Sequence, residues 1–287
     1  DLNAAVDGGA GHVSLIAAGD LTQAADGDVT TTGSGTLYVE AGGALQSMGT
    51  AESPVFLRGA TERRAHWRGV GFTGDGTNAN SLEHTVVEHA GGELWTGDQA
   101  TLAAVFVTGA TVAIRRTTLR TNGGKAVLAR NGEADLTVAR TVFESNEVPI
   151  RVKGNLVGSI AASTIVENND ADRITISGGE DTARDEISVD QAWPDVDVPF
   201  HVPQDLHLTA ALTIPAGATL EFGEQQGLDV DGGHLVVEGT ASAPVRFRGV
   251  TSERGFWQGI RFRNTTAANA LQHVVVRDAG GELWHGA

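Results

Sequence analysis

Hydrophobic and polar positions along this chain alternate over short spans and then break at Gly, Asn or Asp. From Ala134 to Asn146, Leu136 and Val138 alternate with polar neighbours, Thr141 and Phe143 follow, and a polar turn arrives with Asn146. Such spans predict strands of about 3 to 5 residues, with no helical period beside them. The pattern also recurs in step. Ile114, Val138 and Ile160 lie 24 and then 22 residues apart, and Leu119, Phe143 and Ile165 repeat that spacing. So do Thr117, Thr141 and Ser163, and so do Asn122, Asn146 and Asn168. Four tracks moving together predict that each position stacks above its counterpart. This is an all-β solenoid of parallel strands, about 12 coils of roughly 23 residues. The Asn track falls where each coil turns, where Asn tolerates a left-handed backbone and stacked amides bond along a ladder. The Thr and Ser track is expected to fill a tight corner with its hydroxyls on backbone.

A longer repeat overlies the short one. Residues 42 to 95 (GGALQSMGTAESPVFLRG through AGGELW) are echoed at 232 to 284 (GGHLVVEGTASAPVRFRG through AGGELW). More loosely, residues 11–100 resemble 203–287, an offset of about 190, and residues 101–200 hold the in-step coils and an acidic insertion. The expectation is therefore a single domain over 1–287 with an internal duplication. Aligning Gly91 with Gly123 puts Leu82, Thr85 and Val87 on the tracks of Ile114, Thr117 and Leu119, and in the second copy Leu271, Val274 and Val276 take those places. The stretch Glu93 to Gln99 becomes a loop leaving the coil. The second copy stops at Ala287, before the in-step coils that follow the first. The expectation is a solenoid cut in mid-course, with a sheet edge covered by more of a larger parent chain or by another subunit.

The segments LTIPAGATLEFG, LVVEGTASAPVRFRG, WQGIRF and LQHVVVRDAGG (212 to 281) together resemble right-handed parallel β-helix repeat proteins of bacterial cell surfaces. That resemblance covers nearly the whole chain and implies a right-handed parallel β-helix, secreted or held at the cell surface. Related β-helices include pectate lyases, other polysaccharide lyases and polygalacturonases, so a carbohydrate-active enzyme is the competing expectation. Their NTD, paired DD and RIK signatures, and the calcium-carboxylate motifs of the pectate lyases, are not found in this sequence.

Composition narrows the partners. The formal charge of −16 argues against nucleic acid or an anionic membrane as the main partner and permits a cation. No run of about 18 apolar residues predicts membrane insertion. With no cysteine, disulfides, thiolate metal sites and Cys nucleophiles are excluded. The densest acidic stretch is Asp170, Asp172, Glu180, Asp181, Asp185 and Glu186. Asp170, Asp172, Glu180 and Asp181 are the candidate metal ligands. Calcium is the cation such a loop would take, and no other cofactor is expected. The plain alternative is a wet insertion of mutually repelling charges.

His84 and His273 hold equivalent places in the two copies and are candidate ligand-binding residues, although His89 becomes Asp278 and His66 becomes Phe256. Trp95 and Trp284 end the two GGELW segments and are candidate platforms for sugar stacking. The alternative is that each Trp staples its loop onto the adjacent coil. Trp67 and Trp257 read as packing residues. No catalytic residue is singled out. The sequence therefore leads us to expect a non-catalytic extracellular module, a rigid spacer or adhesion surface. Its partner would be an extracellular polysaccharide or another surface protein, with self-association through ends or edges.

Overall fold

In the computed structural model the backbone is described for residues 6–7, 13–17, 21–24, 29–31 and 37–41, and backbone with side chains for 44–74, 79–95, 102–130, 135–177, 184–265 and 268–281. Two compact units result: Asp1–Arg151 with Ser163–Asp172, and Val152–Ala162 with Arg173–Ala287. Both are built from parallel strands in long sheets, an all-β arrangement compatible with a solenoid. No helix among the described residues is long and apolar enough to cross a membrane.

In the first unit, one seven-stranded sheet joins Val6–Asp7, Val29–Thr31, Val55–Gly59, Thr85–Glu88, Thr118–Arg120, Val142–Glu144 and Ile165–Glu167 in chain order. A five-stranded sheet joins Leu21–Ala24, Leu45–Met48, Ala79–Glu83, Thr111–Arg115 and Asp135–Ala139. Neighbours within these sheets come from successive turns of the chain, and the register keeps like with like. Leu82 pairs with Ile114 and Ile114 with Val138, while Val87 pairs with Leu119 and Leu119 with Phe143. Alternation supplies the reason: Val112 and Ile114 are buried, and the alternate residues Thr111, Ala113 and Arg115 are not. Each such Leu, Ile or Phe taken from water contributes roughly 1.5–3 kcal/mol before entropy is counted.

Polar residues close the corners. The Thr117 and Thr141 hydroxyls donate to the carbonyls of Leu82 (3.0 Å) and Ile114 (3.2 Å) in the preceding coil. The amide of Asn122 donates to Val87 O and to Asn146 Oδ1, both at 3.0 Å, and that of Asn146 donates to Leu119 O (2.9 Å) and Asn169 Oδ1 (3.0 Å). The left-handed backbone lies one residue earlier than the ladder, at Thr121, Ser145 and Asn168.

The third coil departs from the spacing read in the sequence by one residue. Phe143 pairs with Val166, and Ile165 pairs with Val142 and is 49% exposed, whereas Leu119 and Phe143 are fully buried. Thr164, not Ser163, sends its hydroxyl back to Val138 O, and Asn169, not Asn168, carries the ladder to Phe143 O. Ile160 is buried at the end of a 3₁₀ turn, Gly154–Ser159, rather than within a strand.

In the second unit the chain visits three sheets in rotation. One carries Ile174–Ile176, Phe200–Val202, Thr219–Phe222, Val245–Gly249 and Val274–Val276. A second carries Arg184–Ile187, Asp205–Leu208, Gly227–Asp231 and Gly259–Arg263, and a third Gln191–Ala192, Ala211–Ile214, His234–Glu238 and Ala270–Gln272.

The two copies of the long repeat share their special backbone. Positive φ recurs at Gly69 and Gly259, His84 and His273, His89 and Asp278, and Gly91 and Gly280. Trp67 and Trp257 are both buried, and their indoles donate to Glu88 O (2.9 Å) and Arg277 O (2.6 Å). Trp257 also stacks on Phe222 at 4.3 Å.

Candidate functional site

The second sheet of the second unit presents a charged outer face. Within its strands Leu206 and Leu208, then Leu228 and Val230, point into the core. Alternation therefore sends the residues between them outward. Register stacks those residues across the coils: Arg184 beside Asp205, Glu186 beside His207, His207 beside Asp229, Asp229 beside Arg261 and Asp231 beside Arg263.

Asp229 is the hub. Its Oδ1 accepts from Arg261 Nε (3.0 Å) and Arg263 Nε (3.3 Å), and its Oδ2 from Arg261 Nη2 (2.7 Å) and Arg263 Nη2 (2.8 Å). Arg263 Nη2 also lies 3.2 Å from Asp231 Oδ2. Burial alone would raise the Asp229 pKa, but the hydrogen bonds and charges of the two guanidiniums outweigh it and hold the carboxyl below its ordinary value. Asp205 behaves oppositely. Burial raises its pKa and the Asp229 charge adds to that, against the Gly227 N–H that it accepts at 2.8 Å and against Arg261 and Arg184.

His207 completes the cluster. Its ring nitrogen and one oxygen each from Asp229 and Asp231 lie within 4.8 Å of one another. The residue is only 9% exposed, and neither ring nitrogen makes a hydrogen bond. Nε2 sits 3.7 Å from Asp231 Oδ2. This patch escapes a search for dense acidic runs because its members lie in three coils. The signal that finds it is the coil step itself: 22 residues on from His207 in DLHL is Asp229 in LDVD, and 32 on from there is Arg261 in GIRFR.

The sequence-derived candidates take other positions. Asp170 forms a two-pronged pair with Arg64, at 2.6 and 3.0 Å, which raises the Arg64 pKa and lowers that of Asp170. Asp172 accepts from the backbone N–H of Asn168 (3.1 Å) and Asn169 (2.9 Å) and from the Asn169 amide (2.8 Å). It stands where the next coil's Asn would, and so ends the amide ladder. Asp185 is buried and accepts from Gly154 N–H and Glu186 N–H. Glu180, Asp181 and Trp284 lie outside the described residues.

Trp95 is half buried. Its indole donates to Ala103 O at 2.9 Å, its ring stacks on Phe106 at 5.8 Å, and the Arg68 guanidinium lies 5.6 Å from it. Trp95 packs over the buried apolar cluster of Ala103, Phe106 and Leu128. That cover explains why residues 103–107 read as an unbroken apolar run with both faces buried. His84 and His273 each occupy the left-handed corner before a strand, and their carbonyls accept from Val55 (3.0 Å) and Val245 (3.1 Å). Arg116 and Arg140 fill the same corner in other coils, so the position asks for backbone geometry more than for imidazole. The chain matches no family model, no curated protein and no solved structure.

Proposed function

We propose that this chain is a right-handed parallel β-helix of about 12 coils of roughly 23 residues. In this reading it serves, secreted or at a cell surface, as a non-catalytic module. It is a stiff spacer whose sides offer a recognition surface to an extracellular polysaccharide or to another surface protein. One observation supports the non-catalytic reading above others: among the described residues, the acidic groups named above already hold structural partners. Asp229 is forked by two arginines, Asp170 is paired with Arg64, and Asp172 caps backbone amides. A carboxylate whose lone pairs accept four guanidinium N–H groups is a poor base and a poor nucleophile.

A glycan array run beside an assay for unsaturated-uronate absorbance tests this. The expected outcome is signal on the array with no rise in absorbance. A rise that depends on the protein overturns the non-catalytic reading in favour of a polysaccharide lyase. Silence on the array removes polysaccharide as the partner and leaves the spacer role.

A further inference from the structure

We propose that His207 and Asp231, with Asp229 as third ligand, form a binding site for one divalent transition-metal ion of the zinc class on the outer face of the sheet. The first observation is the convergence of one imidazole and two carboxylates from adjacent strands, with their ligand atoms within 4.8 Å of each other. The second, independent of it, is the state of His207. The residue is buried, its side chain 11% exposed, both ring nitrogens are shielded from solvent, and neither has a hydrogen-bond partner. A buried imidazole without partners is costly, and something is expected to satisfy it.

The separation of His207 Nε2 from Asp231 Oδ2, 3.7 Å, is too long for a hydrogen bond. It is close to the spacing of two ligands that share one ion. At metal–ligand distances of about 2.0–2.2 Å and a tetrahedral angle, that spacing is about 3.4 Å. An imidazole among carboxylates selects zinc, cobalt, nickel or copper over calcium and magnesium, which take oxygen alone.

Charge on the face does not forbid a cation. Asp205, Asp229, Asp231 and Glu186 are set against Arg184, Arg261 and Arg263 on the same four strands. Arg263 is the competitor, since its Nη2 holds both Asp229 Oδ2 and Asp231 Oδ2. Metal entry requires Arg263 to release both Asp229 and Asp231 and swing toward solvent, leaving Arg261 to orient Asp229 as an outer-shell partner.

The full chain, stripped with a chelator, is titrated with Zn²⁺ by calorimetry and with Co²⁺ by visible absorption. The expected result is one saturable equivalent that is lost in His207→Ala and weakened tenfold or more in Asp231→Asn. In Arg263→Gln the same equivalent tightens several-fold, because the competing cation is gone. The urea midpoint in chelator shows whether each variant folds, and Asp231→Asn, nearly isosteric, carries the test should His207→Ala fail to. Absence of a saturable equivalent overturns the proposal, as does an equivalent that survives in folded His207→Ala or Asp231→Asn at unchanged affinity.

Discussion

At the scale of single residues, Asp205 and Asp229 face the same patch and respond to pH with opposite sign. The Asp229 pKa is lowered in the folded chain. Its contribution to stability is therefore present above the unfolded carboxyl pKa and is lost as pH falls through the folded one. The Asp205 pKa is raised. The folded state holds that proton more tightly than the unfolded chain does, so stability falls as pH climbs from the ordinary carboxyl value through the folded one. Asp205→Asn keeps an oxygen for the Gly227 N–H and removes the buried charge. Urea unfolding in chelated buffer from acid to neutral pH should find this variant gaining on the parent as pH rises, then holding a constant advantage. An advantage that is flat across the range would remove burial of the charge as the cause. A search for dense charge along the sequence misses this patch, because Asp205, Asp229 and Arg261 meet only when strands 22 and 32 residues apart are placed side by side.

At the scale of the strand and corner, the first two rungs of the ladder were legible and the third was not, and the cause is local. Ser163 and Thr164, Ile165 and Val166, and Asn168 and Asn169 are three doublets of like residues, so the pattern fits equally well in two registers one residue apart. Periodicity cannot choose between them, yet a one-residue slip moves every side chain to the other face. Hydrogen bonds decide it: only the later register lets Asn169 accept from Asn146 and reach Phe143 O while Asp172 closes the series. The two asparagines should therefore behave differently. Asn169→Ala strands the Asn146 amide and Phe143 O and should cost about 2–3 kcal/mol in urea unfolding. Asn168 is exposed with φ 57°, so Asn168→Gly keeps the left-handed turn and should change stability by less than about 0.5 kcal/mol. The opposite ranking would restore the earlier register. Trp95 is readable as either a platform or a staple for a different reason: GGELW marks a loop, and only the ring's bond to Ala103 O and stack on Phe106 show where it goes.

At the scale of the whole molecule, the long repeat allows each copy to act as a control for the other. Phe72, Leu82 and Val87 of the first copy are 4, 0 and 0% exposed, and their counterparts Phe262, Leu271 and Val276 are 39, 45 and 48% exposed. Corner geometry and Trp burial match between the copies, and what differs among the described residues is which strands pair onto them. In the first copy the strands Ala103–Thr108, Thr111–Arg115 and Thr118–Arg120 pair onto Val70–Thr73, Ala79–Glu83 and Thr85–Glu88. In the second, Gly259–Arg263, Ala270–Gln272 and Val274–Val276 are the last strands of their sheets among the described residues. Apolar side chains exposed on these three strands invite contact with other apolar surface. An apolar fluorescent dye should therefore bind the folded chain, and Leu271→Lys with Val276→Lys should remove most of that signal at little cost in stability, since both sites already tolerate water. Leu82→Lys, the same change at the covered counterpart, should unfold the first unit, because a charge there has no water and no partner. If the double variant leaves the dye signal intact while the protein stays folded, the open face is not where the dye binds, and the exposure of Leu271 and Val276 is not felt in solution.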